Sequence, residues 1–292
     1  MKSIVRWLAA LGLMGGTLLG SLVPAMPAAA LSEEEVLEKL ATIPVFTITN
    51  NDGAFFLDAV PNAQNQSQPQ QFVRVFFDID DAKQAAEDIA TQRPDLEDDL
   101  RVTLTSMADI YMMEQEFESE GANGETANGE DSESLEFAYI PPREEMNAAV
   151  SLLQEQDRTS DLLEVEGQNG ETVYIFPGVP LFAATVGTGE NQRYLSVQQN
   201  GEAYVPLFFD RDDLNNAIQQ ANLSEPVDTQ VLQLESLLDR MTVEDANDAA
   251  YEQLVLIPTR ESARLMENVI QEMQQRSGEG TPVDPPAATP EN

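Results

Sequence analysis

Segments with two different periodicities of apolar and polar residues alternate along the chain. Short segments such as residues 72–77 and 204–209 are rich in β-branched and aromatic residues, which predicts strands. The apolar residues Ala82, Ala85 and Ile89 recur at the three- and four-residue spacing of an amphipathic helix. Segments of these two kinds follow one another through most of the chain. The pattern therefore predicts a protein built from both strands and helices.

The order of these segments is repeated. Four segments of the first half match four of the second half in the same order: residues 43–46 and 179–182, 75–81 and 207–213, 102–107 and 232–237, and 140–144 and 257–261. Because four matches in order are hard to attribute to chance, we interpret the chain as two copies of one unit, residues 31–156 and 157–276. The predicted fold is α+β, with two pseudo-symmetric repeats, mixed sheets and helices packed on one side.

Each repeat is predicted to run through the same elements. In the first repeat they are a Pro-x-Phe strand, a second strand at 54–59, a third at 72–77, a helix ending near residue 93, a fourth strand at 100–105, a helix at 107–113, a fifth strand at 135–140 and a helix at 142–153. In the second repeat, strands at 193–198, 204–209 and 253–257 and a helix at 259–273 correspond to these. Ser106 and Ser236 are the predicted N-caps of the short helix in each copy.

Both repeats carry an Asp-x-Asp-Asp motif, which begins at Asp78 and at Asp210. Clustered carboxylates can bind Mg²⁺ or Ca²⁺ or act as acid and base. The motif stands, however, where a strand passes into a helix, and carboxylates stabilise the unpaired N–H groups of a helix N-terminus. We therefore interpret both motifs as helix caps. Ser32 and Glu35 have the spacing of a capping box for a further helix.

Three stretches lie outside the predicted units. Residues 1–30 have a basic start, a short apolar run and an Ala-x-Ala ending, which is typical of a secretory signal peptide cleaved after Ala30; an uncleaved anchor is the alternative. Residues 114–136 are acidic and contain repeated Asn-Gly, so we expect a mobile loop. Residues 277–292 are too poor in apolar residues to pack, and a disordered tail is predicted. No membrane span is expected after the signal segment.

Composition narrows the possible chemistry. The 292 residues include no Cys and no His, which excludes Ser-His-Asp triads, cysteine nucleophiles and His/Cys zinc sites. The net charge of -37 opposes binding to nucleic acid and to anionic membranes. We expect no enzyme activity, no metal and no cofactor. Hydrolysis by paired carboxylates stays as an alternative, although 52 acidic residues make such pairs uninformative.

Aromatic pairs at the end of the third strand are the candidate binding residues. Alternation in a strand sends one ring of each pair to one face and the other ring to the opposite face. Burial in the core is the simpler interpretation, but a face without a helix would leave an apolar groove suited to a partner. The predicted client-binding residues are Phe46, Phe76, Phe77, Met112, Phe182, Phe208 and Phe209.

The chain resembles the Tic22-like family. The segments that carry the resemblance are LATIPVFTI at 40–48, VFFD at 75–78, GVPLF at 178–182 and VPLFF at 205–209, and it extends over residues 31–275. The resemblance implies a periplasmic protein of cyanobacterial type with a two-lobed repeat architecture and apolar pockets. It also implies a chaperone-like part in outer-membrane biogenesis, and it provides no catalytic residues.

Two functions follow as hypotheses. The first is a monomeric, ATP-independent chaperone or escort in the periplasm, which holds outer-membrane protein precursors in apolar grooves. The second is a structural adaptor that docks on the periplasmic domains of the barrel-assembly machinery without holding clients.

Overall fold

The computed structural model describes residues 31–60, 70–123, 136–167, 169–187, 192–199, 201–242 and 249–278. In the first half the elements are α1 (Glu33–Leu40), β1 (Pro44–Thr49), β2 (Asp58–Val60), β3 (Gln70–Phe76), α2 (Ile79–Gln92), β4 (Arg101–Ser106), α3 (Met107–Asn123), β5 (Glu136–Ile140) and α4 (Arg143–Glu155). Short 3₁₀ turns lie at Pro94–Leu96 and Thr159–Asp161.

The second half contains the same succession after an added hairpin. Its elements are β6 (Leu163–Glu166), β7 (Thr172–Ile175), β8 (Pro180–Val186), β9 (Arg193–Tyr194), β10 (Val197–Gln199), β11 (Glu202–Phe208), α5 (Arg211–Ala221), β12 (Val227–Gln233), α6 (Leu234–Thr242), α7 (Ala249–Glu252), β13 (Leu254–Ile257) and α8 (Arg260–Gly278). Strands β6 and β7 pair only with each other among the described strands.

Two mixed sheets have the same strand order. It is β5-β3-β1-β4 in the first sheet and β13-β11-β8-β12 in the second, with β5 and β13 parallel to their neighbours and the other pairs antiparallel. Phe46 lies opposite Phe76 in the first sheet, as Phe182 lies opposite Phe208 in the second. The predicted α+β class, with pseudo-symmetric halves and mixed sheets, is confirmed.

The last helix of each half packs on the sheet of the other half. Helix α4 follows β5 of the first sheet, but its residues Ala149, Leu152 and Leu153 pack with Phe182 and Phe208 of the second sheet. Helix α8 follows β13 of the second sheet and contacts β1, where Leu265 joins the core of the first sheet. The outer face of each sheet is therefore covered by its own helix, α2 or α5, and by a helix exchanged from the other half.

The inner faces of both sheets enclose one shared core. It contains Val45 and Val75 from the first sheet and Leu181 and Leu207 from the second, together with buried residues of α1, α3 and α6. Because both faces are covered, β1 and β8 are buried along their whole lengths. This explains why these two strands are almost continuously apolar instead of alternating.

Side-chain caps fix the predicted helix starts. The Asp78 carboxylate accepts hydrogen bonds from the N–H groups of Asp80 and Asp81 at 2.8 and 3.0 Å, and Asp210 accepts one from Asp213 at 2.8 Å. The capping interpretation of the Asp-x-Asp-Asp motifs is confirmed. Ser32 and Glu35 form the predicted capping box.

The predicted equivalence of Ser106 and Ser236 is wrong by three residues. The N–H of Met107 donates to Ile43 at 2.8 Å and that of Leu234 donates to Val179 at 2.9 Å, so Met107 corresponds to Leu234. Ser106 caps its helix, accepting from the N–H of Asp109 at 3.1 Å. Ser236 lies within α6, which begins at Leu234, and its hydroxyl donates instead to the side chain of Gln233 at 2.7 Å.

Several predicted boundaries also change. The second strand of the first repeat begins at Asp58, not at residue 54, while that of the second repeat divides into β9 and β10. Helix α3 continues to Asn123, so residues 114–123 of the predicted acidic loop are helical. Glu136, the last residue of the predicted loop, begins β5, and residues 277–278 of the predicted tail belong to α8. Residues 124–135 of that loop, the predicted signal segment at 1–30 and residues 279–292 of the predicted tail lie outside the described residues.

Candidate functional site

A groove of about 800 Å³ opens in the second repeat. Its apolar lining is contributed by Leu153, Phe176, Pro177, Val205, Leu207, Val231, Leu232, Leu237 and Leu254, with Tyr194 and Tyr251 beside them. This volume and apolar character are typical of sites that bind an apolar ligand or segment. The exchanged helix α4 contributes Leu153, so the first repeat helps to build a groove whose other walls belong to the second.

Polar groups enter the groove at a few points. Arg158 is held at one side, where its guanidinium pairs with Asp161 at 2.7 Å and donates to the Gln230 side chain at 2.8 Å. Arg240, from the last turn of α6, also lines the groove and is exposed. Among the described residues Arg240 forms no ion pair. Two arginines and one carboxylate make the groove locally positive in a chain with 15 basic and 52 acidic residues.

Lys39 joins the two repeats near the groove. Its ammonium group donates to the backbone carbonyls of Glu252 and Leu254 at 2.9 Å each, and Leu254 lines the groove. Burial lowers the pKa of this lysine, against the opposing effect of Glu35, Glu38 and Glu252. The contact links helix α1 of the first repeat to the parallel strand at the edge of the second sheet.

A second apolar surface lies on the β6–β7 hairpin. Leu163 pairs with Ile175 and Val165 with Val173, so these four side chains share one face. All four are exposed, from 38% at Val165, Val173 and Ile175 to 54% at Leu163. Single exposed apolar residues need no explanation, but a ladder of four on one face is typical of a contact surface.

The predicted client-binding residues lie mostly elsewhere. Phe46, Phe76, Phe77, Phe182, Phe208 and Phe209 are at most 3% exposed and belong to the three core clusters. Only Met112 is exposed, at 44%. None of these seven residues lines the groove. In this conformation the six rings are packing residues because helices or the opposite sheet cover both faces of each sheet.

Sequence reasoning missed the residues that form the two apolar surfaces. The alternation Leu163-x-Val165 and Val173-x-Ile175, on either side of Gly167 and Gly170, was a readable hairpin signal. The groove had no comparable signal, because its lining comes from six separate stretches of chain. Among the described residues no cluster of acidic side chains has an arrangement suited to a metal ion, and no described helix has the length and apolar character to cross a membrane.

Comparison with known proteins identifies the fold family. The sequence profile of the Tic22-like family matches residues 14–268. The chain belongs to the Tic22-like family. The resemblance noted in the sequence motifs is thus confirmed.

Two solved Tic22 structures share the fold. Tic22 of Anabaena, described as a protein of protein transport, is 25% identical, with a TM-score of 0.59 over 87% of this chain and 100% of that one. Tic22 from Plasmodium falciparum is 20% identical, with a TM-score of 0.56 over 81% of this chain and 98% of that one. No protein of curated function matches the chain in sequence.

One motif of the Tic22-like resemblance has a clear structural reason. Gly178 has a φ of +100°, and a Cβ atom at this position would collide with the Glu235 side chain. That carboxylate accepts a hydrogen bond from the N–H of Val179, with both oxygens at 3.1 Å. Burial raises the pKa of Glu235, and hydrogen bonds to it, including that from Val179, oppose the shift. The glycine therefore leaves room for a partly buried carboxylate that links α6 to the start of β8.

Two further carboxylates lie at contacts of the exchanged helices in this Tic22-like fold. Glu145 of α4 accepts from the N–H of Arg211 at 3.0 Å, and burial raises its pKa to about 7. Asp213 of α5 pairs with Arg260 of α8 at 2.7 Å, and burial raises its pKa as well. Both groups lie near the N-terminus of α5, where α5 contacts the exchanged helices α4 and α8.

Proposed function

We propose that this protein is a periplasmic, ATP-independent chaperone or escort that aids outer-membrane protein biogenesis and protein translocation. The groove of about 800 Å³, with its largely apolar walls, is the observation that carries the proposal. Membership of the Tic22-like family and the transport role given for the Anabaena relative support it.

The physics of the groove suits an unfolded barrel precursor. Such precursors expose alternating apolar residues and unpaired strand edges before they fold. Apolar walls bind the side chains by the hydrophobic effect, without consuming a nucleotide. The net charge of -37 repels further copies of the carrier, which keeps carrier and client dispersed.

Features of the sequence support the proposed location and the proposed lack of catalysis. The layout of residues 1–30 supports export, and the absence of Cys suits a protein held together by packing alone. We propose that the protein acts as a monomer and is not an enzyme, with no metal or cofactor; the lack of His and Cys in the sequence supports this proposal.

An aggregation assay tests the proposal. The protein without residues 1–30 is mixed with a urea-unfolded outer-membrane barrel protein, which is then diluted while light scattering is recorded. We expect scattering to fall at near-equimolar protein. Tyr194→Asp, at a groove residue that is 46% exposed, should weaken this protection, whereas Leu57→Asp, at a residue that is 42% exposed and outside the groove, should not. Equal scattering with and without the protein would contradict the proposal.

A second candidate function rests on the hairpin surface. The ladder of Leu163, Val165, Val173 and Ile175 is carried on a two-stranded sheet and suits docking on a folded partner. The alternative is therefore an adaptor that binds the periplasmic domains of the barrel-assembly machinery. The adaptor would be favoured over the chaperone by two results. The protein should capture those domains and lose this capture in Val165→Asp, and light scattering in the aggregation assay should be the same with and without the protein.

A further inference from the structure

The outer edge of β12 can be assigned from its hydrogen bonds. Thr229 lies opposite Ala184 of β8. The Ala184 carbonyl accepts from the N–H of Leu195 at 2.9 Å, on the side of β8 away from β12. The Thr229 carbonyl accepts from the Gln156 side chain at 2.8 Å. Thr229 and Ala184 are thus a non-hydrogen-bonded pair. The backbone N–H and C=O of Thr229 therefore point away from β8, in the plane of the sheet.

Alternation along the strand extends this assignment to two more residues. Backbone groups of an edge strand point outward at every second residue, so those of Val231 and Gln233 also point away from β8. Pro180, which lies opposite Gln233, has no N–H to donate and agrees with this phase. Among the described strands β12 pairs only with β8. The outward groups of Val231 and Gln233 therefore have no partner strand among the described strands, and Val231 as a whole is 6% exposed.

The outer edge of β12 runs along the groove. Four consecutive residues, from Gln230 to Gln233, line it. Successive side chains of a strand point to opposite faces, so a cavity over one face would touch only every second residue. A cavity lined by all four reaches the edge of the strand, and it also extends to Val205 and Leu207 of β11 and Leu254 of β13. A neighbouring strand would lie about 4.8 Å beyond that edge.

The groove selects an occupant by backbone, side chains and charge. Unpaired N–H and C=O groups require an extended segment with free backbone groups of its own. Apolar walls lie on both sides of the edge, with Phe176 on one side and Leu237 on the other. Two arginines, Arg158 and Arg240, line the groove with one carboxylate, that of Asp161, so the excess of positive charge favours a segment that carries a carboxylate. Residues 279–292 of the chain itself are a poorer match, because four of them are prolines without an N–H.

We propose that an extended apolar segment of a client protein, bearing a carboxylate, adds to β12 as a new edge strand and pairs with the backbone of Val231 and Gln233. This inference rests on the proposed client-holding function and specifies how the client is held. Main-chain pairing then supplies affinity without a fixed sequence, because it is the same for every non-proline residue, and the apolar walls select for apolar side chains.

Hydrogen exchange and a proline substitution test the pairing. The probe is a synthetic eight-residue peptide of apolar β-branched and aromatic residues with one glutamate and no proline. In the intact protein the amides of Val231 and Gln233 should exchange at least about tenfold more slowly with peptide, while the amide of Leu232, which points towards β8, serves as the unchanged control. Gln233→Pro removes one outward N–H that the sheet does not use and should weaken peptide binding about tenfold. Gln233→Ala, which removes the same side chain but keeps that N–H, is the matched reference, and Gln233→Pro should bind about tenfold more weakly than it.

Each remaining outcome decides against the pairing in a distinct way. Peptide binding that is equal in Gln233→Pro and Gln233→Ala, with protection absent at Val231 and Gln233, would overturn strand addition and leave the chaperone proposal standing. Failure to bind the peptide and unfolded barrel precursors alike would overturn both. Protection that depends on protein concentration and needs no peptide would assign the edge to a second copy of this chain.

Discussion

The aromatic rings of Phe77 and Phe209 stack on each other, with 5.2 Å between their centroids and 20° between their planes. Each residue follows the third strand of its repeat, and each N–H donates to the parallel neighbour strand, at Ile140 and at Ile257, both at 3.1 Å. Equivalent residues of the two repeats thus meet in the shared core. The pseudo-twofold axis that relates the two repeats passes through this contact.

Removing either ring should destabilise the whole protein. Phe77→Ala and Phe209→Ala each delete a side chain that is at most 3% exposed, and we expect a loss of about 3–5 kcal/mol in the free energy of unfolding. The double variant should lose less than the sum, by about 0.5–1.5 kcal/mol, because the rings contact each other. Urea denaturation measures all three. Met112→Ala, at a 44% exposed residue, is the control and should change stability by less than about 0.5 kcal/mol.

The duplication and the helix caps could be read from the sequence, whereas the helix exchange could not. Aspartates such as Asp78 act on N–H groups within the next turn, so a local motif is sufficient to predict them. The apolar stripe of α4 shows that it packs, but not on which sheet, because both sheets offer similar apolar faces. The start of the short helix in the second repeat was predicted wrongly because two identities, Leu104 with Leu234 and Ser106 with Ser236, favour a match that is shifted by three residues. The hydrogen bond from Leu234 to Val179, which fixes the start, depends on the fold and has no local sequence signal.

The candidate site was less accessible to sequence reasoning than the fold. Binding at Phe76 and Phe208 is predicted only for a sheet face that lacks a helix. Coverage of a sheet face is decided by tertiary packing, and each ring is buried by the helix of its own repeat together with the exchanged helix. Residues such as Arg158 and Tyr194 are separated along the chain and meet only through the folding of the hairpin and of β12. A groove assembled from distant segments leaves no local spacing to detect.

Gly178→Ala should be strongly destabilising for two reasons that a control can separate. The residue has a φ of +100°, which costs a non-glycine residue about 1–2 kcal/mol, and the added Cβ would collide with Glu235. We expect a total loss of about 3 kcal/mol, measured by urea denaturation. Gly53→Ala has a similar φ of +85° with no atom within 4 Å, so it should cost only the backbone part, about 1 kcal/mol. Equal losses in the two variants would show that the contact with Glu235 contributes nothing.

Glu145 should make stability depend on pH between about 4.5 and 7. Its pKa is raised from 4.5 to about 7, chiefly by burial, so the folded state prefers the neutral acid. The stabilising contribution of the neutral form is complete below the unfolded-state pKa of 4.5 and is lost as the pH rises through the folded-state pKa of about 7. Glu145→Gln keeps a neutral side chain that can accept from Arg211, and should gain about 1–2 kcal/mol over the wild type at pH 8, a figure reduced for the partial exposure of the group.

Thermal and urea unfolding at pH 4 and pH 8 measure this difference. The two proteins should have nearly equal stability at pH 4 and should diverge as the pH rises. Glu144→Gln, at the neighbouring exposed residue, is the control for the loss of one surface charge. A gain in Glu145→Gln that is the same at both pH values would mean that the effect comes from packing and not from ionisation.

Neither repeat should fold alone, because each sheet needs a helix from the other. A fragment of residues 31–156 contains α4 but not the sheet on which Ala149, Leu152 and Leu153 are buried, and a fragment of residues 157–278 has the exposed sheet without that helix. Burying three such side chains contributes several kcal/mol, which is comparable to the whole stability of a small domain. Each fragment should therefore show no cooperative unfolding transition in urea by circular dichroism. Mixing the two at micromolar concentration should restore a single transition, and a cooperative transition of either fragment alone would show that the exchanged helix is dispensable.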